Sequence, residues 1–153
     1  MTTAAPPSSF LHLVVGYDGS PPASRALDAA VRLLQGRTGR VEVVYVAHLS
    51  SVIMLSADAI AEMESDFDDI EQELRAQAAE QLGSQTVDWG FQRRQGVIAD
   101  ELIAASTGFQ EAGPAGTVVV IVVGSSSHAT HRVVGSVAVS LARHSPVPLV
   151  IVP

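Results

Sequence analysis

A chain of 153 residues without a cysteine or a lysine excludes disulfides, Cys-ligated metals, thiolate catalysis, Schiff bases and lysine-dependent phosphate loops. A net charge of -7 speaks against nucleic-acid and anionic-membrane partners, which need a basic face, and 47% hydrophobic with only 5% aromatic residues points to an aliphatic α/β interior. The length suits one domain, no apolar run is long enough to span a membrane, and the first ten residues lack the pattern of a signal peptide, so a soluble cytoplasmic protein is expected.

Residues 1–10 form a Pro/Ser/Thr/Ala tail, expected to be disordered, and LHLVVG at 11–16 reads as a buried strand. It ends in Tyr17-Asp18-Gly19-Ser20. Ser20 is placed to cap a helix that starts at Pro21, carries Leu27, Val31 and Leu34 on one face, and stops at Gly36. A second strand follows, VEVVYVAH at 41–48. The segment LSSVIMLSA, 49–57, is apolar without a clear period and is expected to cover the ligand side or a dimer contact as a mobile lid. The longest helical pattern comes next, with Ile60, Met63, Phe67, Ile70, Leu74, Ala78 and Leu82 in register, Gly83 as its stop and a solvated acidic face. Residues 86–94, TVDWGFQRR, alternate as an edge strand does; a short helix is predicted from Val97 to Ser106 and a loop over 108–116.

The last unit is the most informative. Val118 to Val123 is unbroken β-branched sequence, the mark of a central parallel strand buried on both faces, and it runs into Gly124 and three serines. A helix resumes at Gly135-Ser136, with Ser136 as expected cap and Val137, Leu141 and His144 at i, i+4 and i+7; its free first-turn N–H groups would attract an anion. Every acid lies at or before Glu111, so nothing in 112–153 repels one, although an aliphatic strand-rich segment simply has little room for charge. PLVIV at 148–152 closes the sheet with an uncharged edge, which predicts a two-fold homodimer.

Strands alternating with helices predict an α/β fold: a single-domain, doubly wound, five-stranded parallel sheet over residues 11–153, with helices on both faces. Right-handed crossovers force the winding to reverse, and ligands bind at the carboxyl ends of the strands flanking the reversal. In the order 3-2-1-4-5, Asp18 and the Gly124 loop would face each other across that crevice.

VVGYDGSPPASRALDAA, followed by VVGSSS and VVGSVAVSLARHSPVPLVIVP, resembles the universal stress protein family from Leu11 to Pro153. The resemblance implies the 3-2-1-4-5 order and, in nucleotide-binding members, a G-x2-G-x9-G-[ST] pattern that holds ATP. By that match Gly16, Tyr17 and Asp18 belong to the adenosine end, Val46 lines the adenine, Val123, Gly124, Ser125 and Ser127 open the phosphate loop, and Gly135, Ser136, Val137 and Ala138 finish it. Two departures fall at the phosphate end: Ser127 replaces the second glycine, and only seven residues, His128 to Val134, separate it from Gly135. His128, His131 and Arg132 can compensate by holding phosphate oxygens; the shorter loop equally suits AMP or cyclic AMP, or no nucleotide.

Duller readings stand beside these. Asp18 can form an Asx-turn, Tyr17 and Trp89 can be packing residues, and the two glycines can be backbone punctuation. His128 and His131 have no carboxylate near them in sequence, so no metal site is expected, and Ser125 to Ser127 lack a partnered histidine and acid. The leading expectation is a non-catalytic regulatory module that binds an adenine nucleotide, ATP with or without magnesium, or AMP or cyclic AMP. A ligand-free stress-response dimer acting through protein contacts is the alternative, and a slow nucleotide hydrolase the third.

Overall fold

The computed structural model describes residues 9–48, 55–125 and 135–153. Its elements are β1 (Leu11–Gly16), α1 (Pro21–Leu34), β2 (Gly39–Ala47), α2 (Ala57–Leu82), β3 (Trp89–Gln95), α3 (Ile98–Ala112), β4 (Val118–Gly124), α4 (Ser136–His144) and β5 (Leu149–Val152). The strands are all parallel, in the order β3-β2-β1-β4-β5. This is the doubly wound sheet expected above.

Alternation along each strand sorts the side chains into two cores. Leu13 and Val15 of β1 join Leu27, Val31, Val43 and Leu74 beneath α1 and α2. Val14, one residue between them, joins Val44, Leu102, Val119, Ile121 and Leu141 beneath α3 and α4. A strand so enclosed has no wet face, hence its unbroken apolar run; each fully buried Leu or Val contributes roughly 1.5–3 kcal/mol.

Local chemistry sets the helix starts. Ser20 Oγ accepts the Ala23 N–H at 3.4 Å, with prolines in the first turn behind it. Ser56 does the same for Ala59 at 3.3 Å, which starts α2 three residues before Ile60, where its large apolar residues begin.

Three expectations need correction. The helix predicted to end at Ser106 continues through Gly108 to Ala112, so the predicted 108–116 loop begins only at Gly113. Phe109, whose ring centroid lies 4.1 Å from that of His12, and Gln110, which donates to the Thr117 carbonyl at 3.0 Å, anchor the extra turns. Such contacts outweigh the roughly 1 kcal/mol that an interior glycine costs a helix. The α4 cap is Gly135, not Ser136, and no side chain caps it. Its buried residues are Ala138 and Leu141, whereas His144 is exposed and bonds the Ser140 carbonyl through Nδ1 at 2.9 Å. A nine-residue helix at the margin of the sheet buries only a narrow stripe. Residues 1–8 of the expected 1–10 tail, and the lid except for Leu55, Ser56 and Ala57, fall outside the described residues.

Candidate functional site

β1 and β4 are neighbours, yet the chain leaves β1 toward the α1 face and reaches α4 on the opposite face. The carboxyl ends of the two strands therefore open into a cleft, here about 280 Å³ in volume.

Gly16, Tyr17 and Asp18 end β1 at one side of it, and Val123, Gly124 and Ser125 end β4 at the other. Val46 of β2 forms part of the wall, and Gly135, Ser136, Val137 and Ala138 close it with the start of α4. Eleven of the fourteen residues expected at a ligand site thus meet in one cavity. Ser127, His128 and Arg132, and with them His131, lie outside the described residues.

Six further residues line it: Ser20, Pro22, Ala23, Val44, Ile98 and Leu102. Val44 stands two residues before Val46, so period-2 alternation was signal enough to find it. Ile98 and Leu102 reach the cleft only because α3 packs across the sheet ends; no local pattern marks that.

Close packing explains two of the glycines. A Cβ on Gly16 would sit 3.1 Å from Leu102 Cδ1 and 3.2 Å from Val123 Cγ1, so the bare backbone lets the two walls approach each other. At Gly124 a Cβ would collide with the main chain of Pro22, because β4 ends against the first turn of α1.

The polar groups divide by role. Asp18 Oδ1 accepts the Ser20 N–H at 3.0 Å, an Asx-turn that shapes the loop while the carboxylate stays exposed at the cleft. The Tyr17 ring is buried with Leu13 and Val15 on the α1 side, and its N–H bonds the Val44 carbonyl at 2.9 Å. Burial, followed by the Asp18 charge, raises the pKa of the Tyr17 hydroxyl. The Ser125 N–H is engaged as well, donating to the Val152 carbonyl at 2.7 Å. At α4 the first helical bond runs from the Val139 N–H to the Gly135 carbonyl at 3.0 Å. The N–H groups before it carry the helix's partial positive charge toward the cleft without a side-chain cap.

Asp18 is the one charged side chain among the described lining residues. No group of three or more potential metal ligands occurs among the described residues, and none of their helices is long and apolar enough to cross a membrane.

A doubly wound parallel sheet with a valine-walled cleft at the reversal of winding and a helix N-terminus at its rim places the chain among the doubly wound α/β domains. The chain belongs to the universal stress protein family, whose profile matches residues 9–153. Among solved structures, it is similar to the universal stress protein UspA from Lactobacillus plantarum, with 17% identity, a TM-score of 0.75, and coverage of 95% of this chain and 99% of the other. A universal stress protein in complex with cAMP is 22% identical, with a TM-score of 0.63 and 95% and 99% coverage. A family protein from Arabidopsis thaliana with AMP bound is 13% identical, with a TM-score of 0.59 and 93% and 90% coverage. At these identities the likeness is one of fold. No curated protein matches the chain.

Proposed function

We propose that the chain is a regulatory module that holds an adenine nucleotide in the cleft between β1 and β4. The observation that carries this is the pairing, in one cavity, of an aliphatic wall with an uncapped helix N-terminus. Val44, Val46, Ile98 and Leu102 supply a surface for the base, Asp18 stands at the adenosine end, and the N–H groups at Gly135 and Ser136 meet a phosphate. The cAMP and AMP in two structures of the same fold support the ligand class. With the Ser125 N–H already bonded, fewer backbone donors remain on the β4 side, which favours a ligand with few phosphates. His128 and Arg132 would serve any outer phosphates.

Binding rather than turnover is the proposed role, since the one exposed ionisable group on the described wall, Asp18, is occupied in shaping its loop. Calorimetric titration with ATP, ADP, AMP and cyclic AMP, with and without magnesium, tests it. Saturable binding of at least one is expected, weakened by Asp18→Ala and abolished by Gly135→Val. Identical affinities in the wild type and both variants would place any nucleotide elsewhere.

β5 carries the second part of the proposal. It pairs with β4 alone, has no charged residue, and is only half-buried along its whole length. We infer a two-fold dimer formed across this edge. Sedimentation should show a dimer at concentrations on the order of tens of micromolar, and Val150→Lys should dissociate it while its long stem still covers the core. A wild-type monomer under those conditions overturns the inference.

A further inference from the structure

α2 is seated on the protein over only part of its length. Leu74, Ala78 and Leu82 are buried, whereas no residue from Ala57 to Glu73 is. The apolar stripe nevertheless continues toward the helix start, through Ile70, Phe67, Met63 and Ile60, at spacings of three and four. Ile60 is 46% and Ile70 40% exposed, with Met63 and Phe67 half-buried between them. Single exposed aliphatics are ordinary, but two exposed isoleucines with a half-buried methionine and phenylalanine in register between them mark a contact surface.

What ties this half of α2 to the body is polar and lies on one flank. Arg93 of β3 bonds Asp68 at 2.6 Å and reaches Glu64 at 3.5 Å and Glu71 at 3.6 Å. On the other flank, Glu62, Asp66, Asp69 and Glu73 follow each other at four, three and four residues, all exposed and none in an ion pair among the described residues. The stripe is therefore bordered by unneutralised carboxylates on its open side.

The charge selects the occupant. A second copy placed by a two-fold axis would set this acidic flank against itself, in a chain whose net charge is already -7. α2 also packs against β2 and meets β3 through Arg93 and the Arg75–Phe91 contact, at the opposite end of the sheet from β5, so dimerisation through β5 leaves the stripe open. We propose that the outer half of α2, residues 57–73, is a docking surface for a basic amphipathic helix of a partner protein, whose apolar residues meet the stripe while its Arg or Lys residues meet the acidic flank. Gly19, next to Asp18, lies close against Leu74, where the stripe enters the core: a Cβ there would fall 2.6 Å from Leu74 Cδ2.

Two labelled peptides of about twenty residues, one Leu/Arg and one Leu/Glu at helical spacing, test this against the full chain by fluorescence anisotropy at low and high salt. The basic peptide should bind saturably and the acidic one at least about tenfold more weakly. Ile60→Ser with Ile70→Ser should weaken the basic peptide about tenfold, and Asp66→Asn with Asp69→Asn about fivefold with a flatter salt dependence. All four side chains are exposed, and circular dichroism checks that the helix persists. The proposal is overturned by an absence of saturable binding or by binding that ignores the isoleucine pair, which is attraction to net charge alone. Self-association that disappears with that pair also overturns it, because a second copy is then the occupant.

Discussion

His12 is a histidine in an aliphatic strand, and its surroundings give it a pH dependence. The ring is 6% exposed, lies against Phe109 and edge-on to Phe10, and its Nε2 has no hydrogen-bond partner among the described residues. Burial first, then the Arg40 guanidinium, lower its pKa from 6.5 to about 4, with Asp88 opposing. The folded protein thus keeps His12 neutral over a range in which the unfolded chain takes up a proton. Stability contributed by His12 is intact above pH 6.5 and lost progressively as pH falls from there to about 4, on the order of 3 kcal/mol. Glu42, whose carboxyl burial pushes up against the pull of Arg40, works the other way and offsets part of that loss. Urea unfolding of His12→Leu should show a shallower decline between pH 6.5 and 4 than the wild type and, with the orphaned nitrogen gone, equal or greater stability at pH 7. A decline as steep as the wild type's would assign the acid sensitivity to other groups.

Two glycines of the cleft separate a packing role from the proposed ligand role. Gly124→Ala drives a methyl into the Pro22 main chain and should cost about 2 kcal/mol or more, with or without ligand. Gly135 has φ −63°, a conformation open to any residue, so Gly135→Ala should change stability by no more than about 1 kcal/mol, while Gly135→Val should remove the proposed nucleotide binding. Denaturant melts of the three variants, with and without nucleotide, distinguish these outcomes.

Among the elements, α3 shows most plainly how tertiary contact decides a boundary. Gly108 sits inside it, and a Cβ there would meet nothing within 4 Å. Gly108→Ala should therefore stabilise the fold by about 1 kcal/mol, read as a rise in thermal midpoint, because nothing in the native packing needs the missing side chain. A glycine followed within eight residues by a second glycine, a proline and a third glycine reads as loop in sequence. The helix persists there because Phe109 has His12 to pack on, a partner from β1 nearly a hundred residues earlier. The opposite case is β4, where six consecutive β-branched residues from Val118 to Val123 leave no other economical arrangement than a buried strand.

For the whole molecule, ligand binding to the folded state alone must raise its stability. Nucleotide at about one hundred times its dissociation constant should add roughly 2.7 kcal/mol to unfolding, and Gly135→Val should lose that increment while keeping its unliganded stability within about 1 kcal/mol of the wild type. Strands and helices in alternation were legible as a doubly wound sheet because period and punctuation are local properties of the chain; the strand order came with the family resemblance. So were the glycines and Asp18 at the two strand ends, since a turn that must pass close to backbone leaves its mark in residue type. Only the tertiary structure decided that the Tyr17 ring belongs to the core, that Ile98 and Leu102 complete the wall, and that Gly135 caps α4. It also decided that half of α2's apolar stripe stays uncovered. A side chain's periodicity tells which way it points along its own element, but burial depends on what other elements bring to meet it, and that is set by packing between segments far apart in the chain.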